Sequence, residues 1–282
     1  MICLPLTIGA VRNRRQHLGD VKTFLDVLVE IASGATAGAM AACEPACAER
    51  ASLLSTASKL ASLVADAASP FAVDGDSATA VTALNTVTNA LRVFSAVDAA
   101  PKPDDDSPAI RDPLPPFLPQ VHVLWPVYIG AVASGHAAAA RRSLELIPEV
   151  AMLCGGDFLR DRVRSDLWPH LKRMLAPDGT SARMRHSALE CLDRLANHEA
   201  SREALYHVAL VAAEALVALL STCTLDAAAE QTVNRALAGL AVLDADAIFL
   251  LQWLLGRVTI PQPPCGRYAT SLLPTDRLFA AV

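Results

Sequence analysis

Residues 154–164 read CGGDFLRDRVR, which places Cys154 beside Gly155 and Gly156, then Asp157, then Arg160, Arg162 and Arg164. A cysteine at a sharp turn before a helix gains nucleophilicity, because amide dipoles and nearby cations favour the thiolate. Paired glycines near arginines are raw material for a phosphate cradle. Neither chemistry finds the rest of its pattern. The segment LELIPEVAML before Cys154 reads as a helix, with Leu144, Ile147, Val150 and Ala151 on one face, whereas a nucleophile elbow follows a strand. No histidine is tied to Cys154 by a local signature, and the glycine pair lacks the GxxxxGK[ST] spacing with its lysine. The spacing therefore predicts a turn: Cys154 closes one helix as a small buried hydrophobe, the glycines reverse the chain, and Asp157 accepts amide hydrogen bonds at the next helix start.

Metal chemistry is no better supplied. Cys43 and Cys47 stand four apart, but no second cysteine or histidine pair completes a zinc spacing. The seven histidines, at 17, 122, 136, 170, 186, 198 and 207, are scattered singly. Asp104, Asp105 and Asp106 form a solvated acidic run without the spaced ligands and glycine of a calcium loop. Neither a metal nor a cofactor is expected.

The elements that would carry these residues are helices. Apolar residues recur with helical period at Val21, Leu25, Leu28, Val29 and Ala32, at Leu53, Ala57, Leu60, Ala61 and Val64, and at Ala80, Leu84, Val87, Leu91 and Phe94. Pro70 and the DGD at 74–76 are expected to separate the second and third of these helices. A stretch crowded with proline and aspartate, 98–116, reads as a linker or long loop. Beyond it, amphipathic segments are predicted at 117–134, 136–154, 157–176, 181–196, 201–221, 226–242 and 244–256, with Ser181, Ser201 and Asp226 as N-caps. Pro126, Pro148 and Pro169 fall inside predicted helices. The even spacing, in pairs of about 40 residues, predicts an all-α, HEAT/armadillo-like α-solenoid of antiparallel helical hairpins rather than a globular bundle. The organisation expected is an N-terminal helical-repeat segment at 1–97, the loop at 98–116, C-terminal repeats at 117–256 and an irregular tail at 257–282.

Composition agrees with that architecture. Hydrophobic residues make up 53% of the chain but aromatics only 5%, a bias towards closely packed helices rather than sheets. A net charge of −5 argues against a nucleic-acid footprint, which needs a basic surface. Seven cysteines, an odd number lying partly in apolar helical patterns, point to a reducing compartment. The N-terminal MICLPLTIGAVRNRR has its apolar residues before its charges, the reverse of a secretory signal. The apolar runs are broken before the length a spanning helix needs, as by Glu214 within 208–220. A soluble intracellular protein with no membrane contact is expected.

The richest helix is DFLRDRVRSDLWPHLKRML, 157–175. Leu159, Val163, Leu167 and Leu171 recur every four residues as an apolar stripe, and Arg160, Arg164, Lys172 and Arg173 lie mostly off it. Those four cations are the candidate partner contacts, weighed against a solvated face with weak local ion pairs.

The text from PFLPQVHVLWPVYIGAV to CGGDFLRDRVRSDLWPHLKRML resembles the C-terminal region of the Tel-Two-interacting protein One family, the large HEAT-repeat scaffold subunit of the triple-T co-chaperone complex. The matching positions are Leu124, Trp125 and Pro126, then Gly156, Asp157, Phe158, Arg162, Trp168, Pro169 and Leu171. The ending LDADAIFLLQWLLG, 243–256, is similar to the family's closing helix, with Ala245 in place of a proline. The resemblance implies a noncatalytic scaffold, not an enzyme. Its implied partners are the other two triple-T subunits and, through them, the Hsp90 co-chaperone machinery and phosphatidylinositol 3-kinase-related kinases. It implies residence in the cytoplasm, with the nucleus as a second compartment. Family members are several times longer, so the chain is expected to be a C-terminal fragment or a shortened homologue. A generic HEAT adaptor is the alternative expectation, and an enzyme using Cys154 the least favoured.

Overall fold

The computed structural model describes residues 18–41, 50–99, 116–176 and 181–243. Among them the regular elements are helices: α1 Leu18–Ala41, α2 Arg50–Asp74, α3 Ser77–Ala99, α4 Leu118–Ala133, α5 Ala137–Cys154, a composite α6 over 156–175, α7 Ala182–Asn197, a composite α8 Glu199–Thr222, and α9 Ala227–Leu240. The expected all-α solenoid of helical hairpins is what they form. The closing helix at 244–256, the tail at 257–282, Cys43, Cys47 and Asp104 to Asp106 lie outside the described residues.

Two layers follow from which helices touch. α1, α3, α5, α7 and α9 stack in chain order, each on the next, while α2 packs on α4 and α6 on α8 in the facing layer. Consecutive helices close the hairpins, α2 with α3 and α4 with α5. One continuous apolar core runs between the layers, from Leu25 and Leu28 in α1 to Val233 and Leu240 in α9. Alanine lets the layers approach closely: Ala61, Ala68, Ala83, Ala131, Ala151, Ala196 and Ala212 are all fully buried.

The turns are set by local chemistry. Gly135 (φ 79°) and Gly155 (φ 90°) occupy the positive-φ region, where a side chain would clash, and they end α4 and α5. Asp76 starts α3 by accepting the Thr79 amide at 2.8 Å, and that hydrogen bond holds its carboxyl below the ordinary value. Ser181 and Asp226 cap α7 and α9 as expected, accepting from the amides of Met184 and Ala229. Ser201 does not cap. The helix starts earlier, at Glu199, and the buried Ser201 hydroxyl instead donates towards the Leu195 and His198 carbonyls.

Pro70 does not end α2 either. The helix passes through it to Asp74, because Ala68 and Ala72, on either side of the proline, are fully buried and that packing offsets the lost amide bond. Near the end of α3, Asp98 Oδ2 accepts the amide of Phe117, just before α4, at 2.8 Å. α2 and α3 share one core with α4 and α5.

Exposed polar side chains step from helix to helix across the α3–α5–α7–α9 layer. Arg92 donates to Glu149 at 2.6 Å and Arg142 to Asn85 at 2.7 Å. Arg194 reaches the Glu145 carbonyl at 2.7 Å, and Arg235 pairs with Asp193 at 2.9 Å. Exposed pairs of this kind contribute tenths of a kcal/mol each; their geometry pins the register of successive helices. The α8 segment Glu199–Thr222 is long and apolar enough, by length and composition, to cross a membrane. Here Leu205, Ala212, Ala213, Leu216 and Leu219 are buried in the solenoid core.

Candidate interaction site

The helix that carries most of the singled-out residues, α6, is not a uniform α-helix. It begins as a 3-10 turn at Gly156–Leu159, continues as α at Arg160–Arg162, widens into a π turn at Val163–Leu167 and returns to α at Trp168–Leu175. The sequence explains the widening. A residue repeated every four positions overshoots a full α turn by about 40° each time, so Leu159, Val163, Leu167 and Leu171 would spiral off one face. The π turn, closed by the Trp168 amide on the Val163 carbonyl, takes up the extra residue, and all four stay fully buried. It also sits just before Pro169, which has no amide to continue an α ladder.

Trp125 links α4 to α6. Its side chain is fully buried and its indole N–H donates to Asp166 Oδ2 at 3.1 Å. Asp166 also receives Arg162, at 3.5 Å, and the Ser165 hydroxyl, at 2.6 Å. A buried indole needs an acceptor, and that need is the signal by which Asp166 could have been singled out alongside Trp125. Deeper in α4, the fully buried Tyr128 meets the Thr88 hydroxyl at 2.8 Å, and its carbonyl accepts Ser143 at 2.8 Å. Thr88 spends its proton on the Leu84 carbonyl, so Tyr128 is the donor. Burial raises the phenol's pKa.

Gly156 has a different task from Gly155. A Cβ placed on it would lie 2.5 Å from the Ser201 carbonyl oxygen and 2.7 Å from the Ala204 amide nitrogen, so the start of α6 crosses α8 backbone to backbone. Asp157 makes no cap hydrogen bond, contrary to expectation: the turn is a 3-10 start whose preceding residue is Gly155, and Asp157 stands exposed inside its first turn. Phe158 is half-buried, Trp168 is buried, and Pro126 and Pro169 are exposed.

Of the four candidate contact cations, Arg160 is turned inward to α8. It pairs with Glu203, and its guanidinium lies 4.9 Å over the Tyr206 ring. Neither partner was singled out from sequence, because 43 residues separate Glu203 from Arg160. Arg164, Lys172 and Arg173 are exposed. Arg173 donates to His170 Nδ1 at 3.2 Å; burial, then Arg173 itself, holds that imidazole below its ordinary pKa.

Cys154 is buried, and burial pushes its thiol up to about 12. Its Sγ–H points to the Gly155 carbonyl at 3.5 Å. A thiolate nucleophile is disfavoured there. Cys191 is buried in the same way and is also pushed up to about 12. In the folded chain at pH 8, iodoacetamide is expected to leave Cys154 and Cys191 unmodified while the half-buried Cys223 reacts, as read by peptide mass mapping. Rapid alkylation of Cys154 would contradict the burial argument. No group of three or more metal-ligating side chains occurs among the described residues.

Compared with known proteins, residues 45–229 match the family model described as the TTI1 C-terminal TPR domain. Among curated proteins and among solved structures, nothing matches.

Proposed function

The chain belongs to the TTI1 family, through that family's C-terminal TPR domain, and on this premise we propose that it is a noncatalytic scaffold of the triple-T co-chaperone complex. In this reading it holds the other two triple-T subunits and, through them, supports Hsp90-linked stability and assembly of phosphatidylinositol 3-kinase-related kinases, in the cytoplasm and also the nucleus. One observation carries it: the family match runs across a two-layer solenoid whose polar residues cross-link neighbouring helices and whose best thiol candidate is sealed in the core. Such an architecture offers extended area for protein contact, since each repeat needs only its neighbours for stability and leaves its outer faces free.

The test is reconstitution. Co-expressed with the other two triple-T subunits, the chain is expected to elute with both on size exclusion and to hold them through affinity purification in low salt. If neither subunit is retained by the folded chain, the triple-T assignment fails and an adaptor for another assembly takes its place.

A further inference from the structure

The cations of α6 fall into two groups. Arg160 is held by Glu203 and Tyr206, and Arg162 by Asp166. Arg164, Lys172 and Arg173 are exposed and make no ion pair with a described residue. Of the carboxylates on this helix near them, Asp166 accepts from Trp125, Arg162 and Ser165, while Asp161 is exposed and lies 3.6 Å from His207.

In a uniform α-helix, positions eight apart differ by about 80° in direction. The π turn at Val163–Leu167 removes much of that drift, so the exposed positions 161, 164, 165, 169, 172 and 173 follow one line. Charges on the neighbouring α8 are concentrated at its start, where Glu203 pairs with Arg160 and His207 lies near Asp161. The Ala209–Thr222 part of α8, which packs on Trp168–Leu175, contains only Glu214 among Asp, Glu, Lys and Arg. It exposes apolar side chains, Leu210 at 41% and Val211 at 41%.

Resting on the scaffold reading, we propose that the outer face of α6 docks an acidic amphipathic helix of a partner subunit, with its carboxylates on Arg164, Lys172 and Arg173 and its apolar residues against Leu210 and Val211 of α8. Charge complementarity selects this occupant: the strip carries three cations without an ion pair to a described residue against one exposed carboxylate, Asp161, and exposed apolar side chains of α8 lie beside it. Arginine is well suited to such docking because its planar fork meets a carboxylate bidentately. Nucleic acid fits less well, since three cations on a chain of net charge −5 make a short footprint.

The test uses the full chain, wild type and the R164E/K172E/R173E variant, with two probes: a fluorescein-labelled glutamate-rich amphipathic peptide, and the two purified partner subunits. Wild type is expected to bind the peptide with an affinity that falls as salt rises. The variant should bind both probes on the order of tenfold more weakly, with a flatter salt response, while its thermal melting is unchanged. If it melts early, R164Q/K172Q/R173Q is read instead and should weaken binding in the same direction. Equal binding of both probes by wild type and variant overturns the proposal. So does binding of phosphatidylserine vesicles or a DNA oligonucleotide through these residues without binding of the peptide. Failure of the scaffold reading looks different: wild type then retains neither partner subunit, whatever the peptide does.

Discussion

Trp125→Ala is expected to lower the stability of the folded chain by about 4 kcal/mol, measured by urea unfolding followed through helical circular dichroism. The magnitude comes from two losses together. Removing a fully buried indole empties a volume between α4 and α6 that backbone relaxation refills only in part. It also strips Asp166 of its indole donor, leaving a partly shielded carboxylate with only Arg162 and Ser165. Trp125→Phe separates the losses: most of the apolar bulk stays and the hydrogen bond goes, so the cost should drop to about 1–2 kcal/mol. A double-mutant cycle between Trp125→Phe and Asp166→Ala then reads the coupling directly. A change below about 1 kcal/mol for Trp125→Ala would mean that neither its burial nor its bond to Asp166 holds the fold together.

Gly156→Ala should destabilise by about 2–3 kcal/mol, although it adds one methyl group. That methyl would stand 2.5 Å from the Ser201 carbonyl oxygen and 2.7 Å from the Ala204 amide nitrogen. Both are backbone atoms of a packed helix and cannot swing aside as a side chain tip can, so α6 and α8 must move apart. Gly34→Ala supplies the opposite sign. It lies inside α1 with nothing within 4 Å of the new Cβ, and the substitution should raise stability by about 0.5–1 kcal/mol through the lower entropy of the unfolded chain. Thermal melts of the two variants should shift in opposite directions. A shared direction would show that propensity, not the close crossing, governs these sites.

The same two residues mark how far sequence reasoning reaches. Trp125 and Gly156 stood out as family positions, and CGGDFLRDR was already a helix-to-helix turn rather than a catalytic loop. Their tasks were not legible, because each depends on a partner distant in the chain: Asp166 for the indole, Ser201 and Ala204 for the glycine. Arg160 shows the same limit. As text it matches Arg164, yet Glu203 and Tyr206 draw it into the α6–α8 contact.

Helical period, alanine content and even spacing were enough to determine an all-α solenoid, because those properties act within a turn or between chain neighbours. Proline and single-residue signals were less reliable. Pro70 and Ser201 behaved differently from their local preference because burial of the surrounding alanines and carbonyls outweighed it. The four-residue stripe in α6 states the division most sharply. The sequence by itself set which residues must face the core, but only packing against α4 and α8 could decide that the backbone would widen into a π turn to keep them there. The cost of the wider turn is local, whereas the burial that repays it exists only when the neighbouring helices are in place.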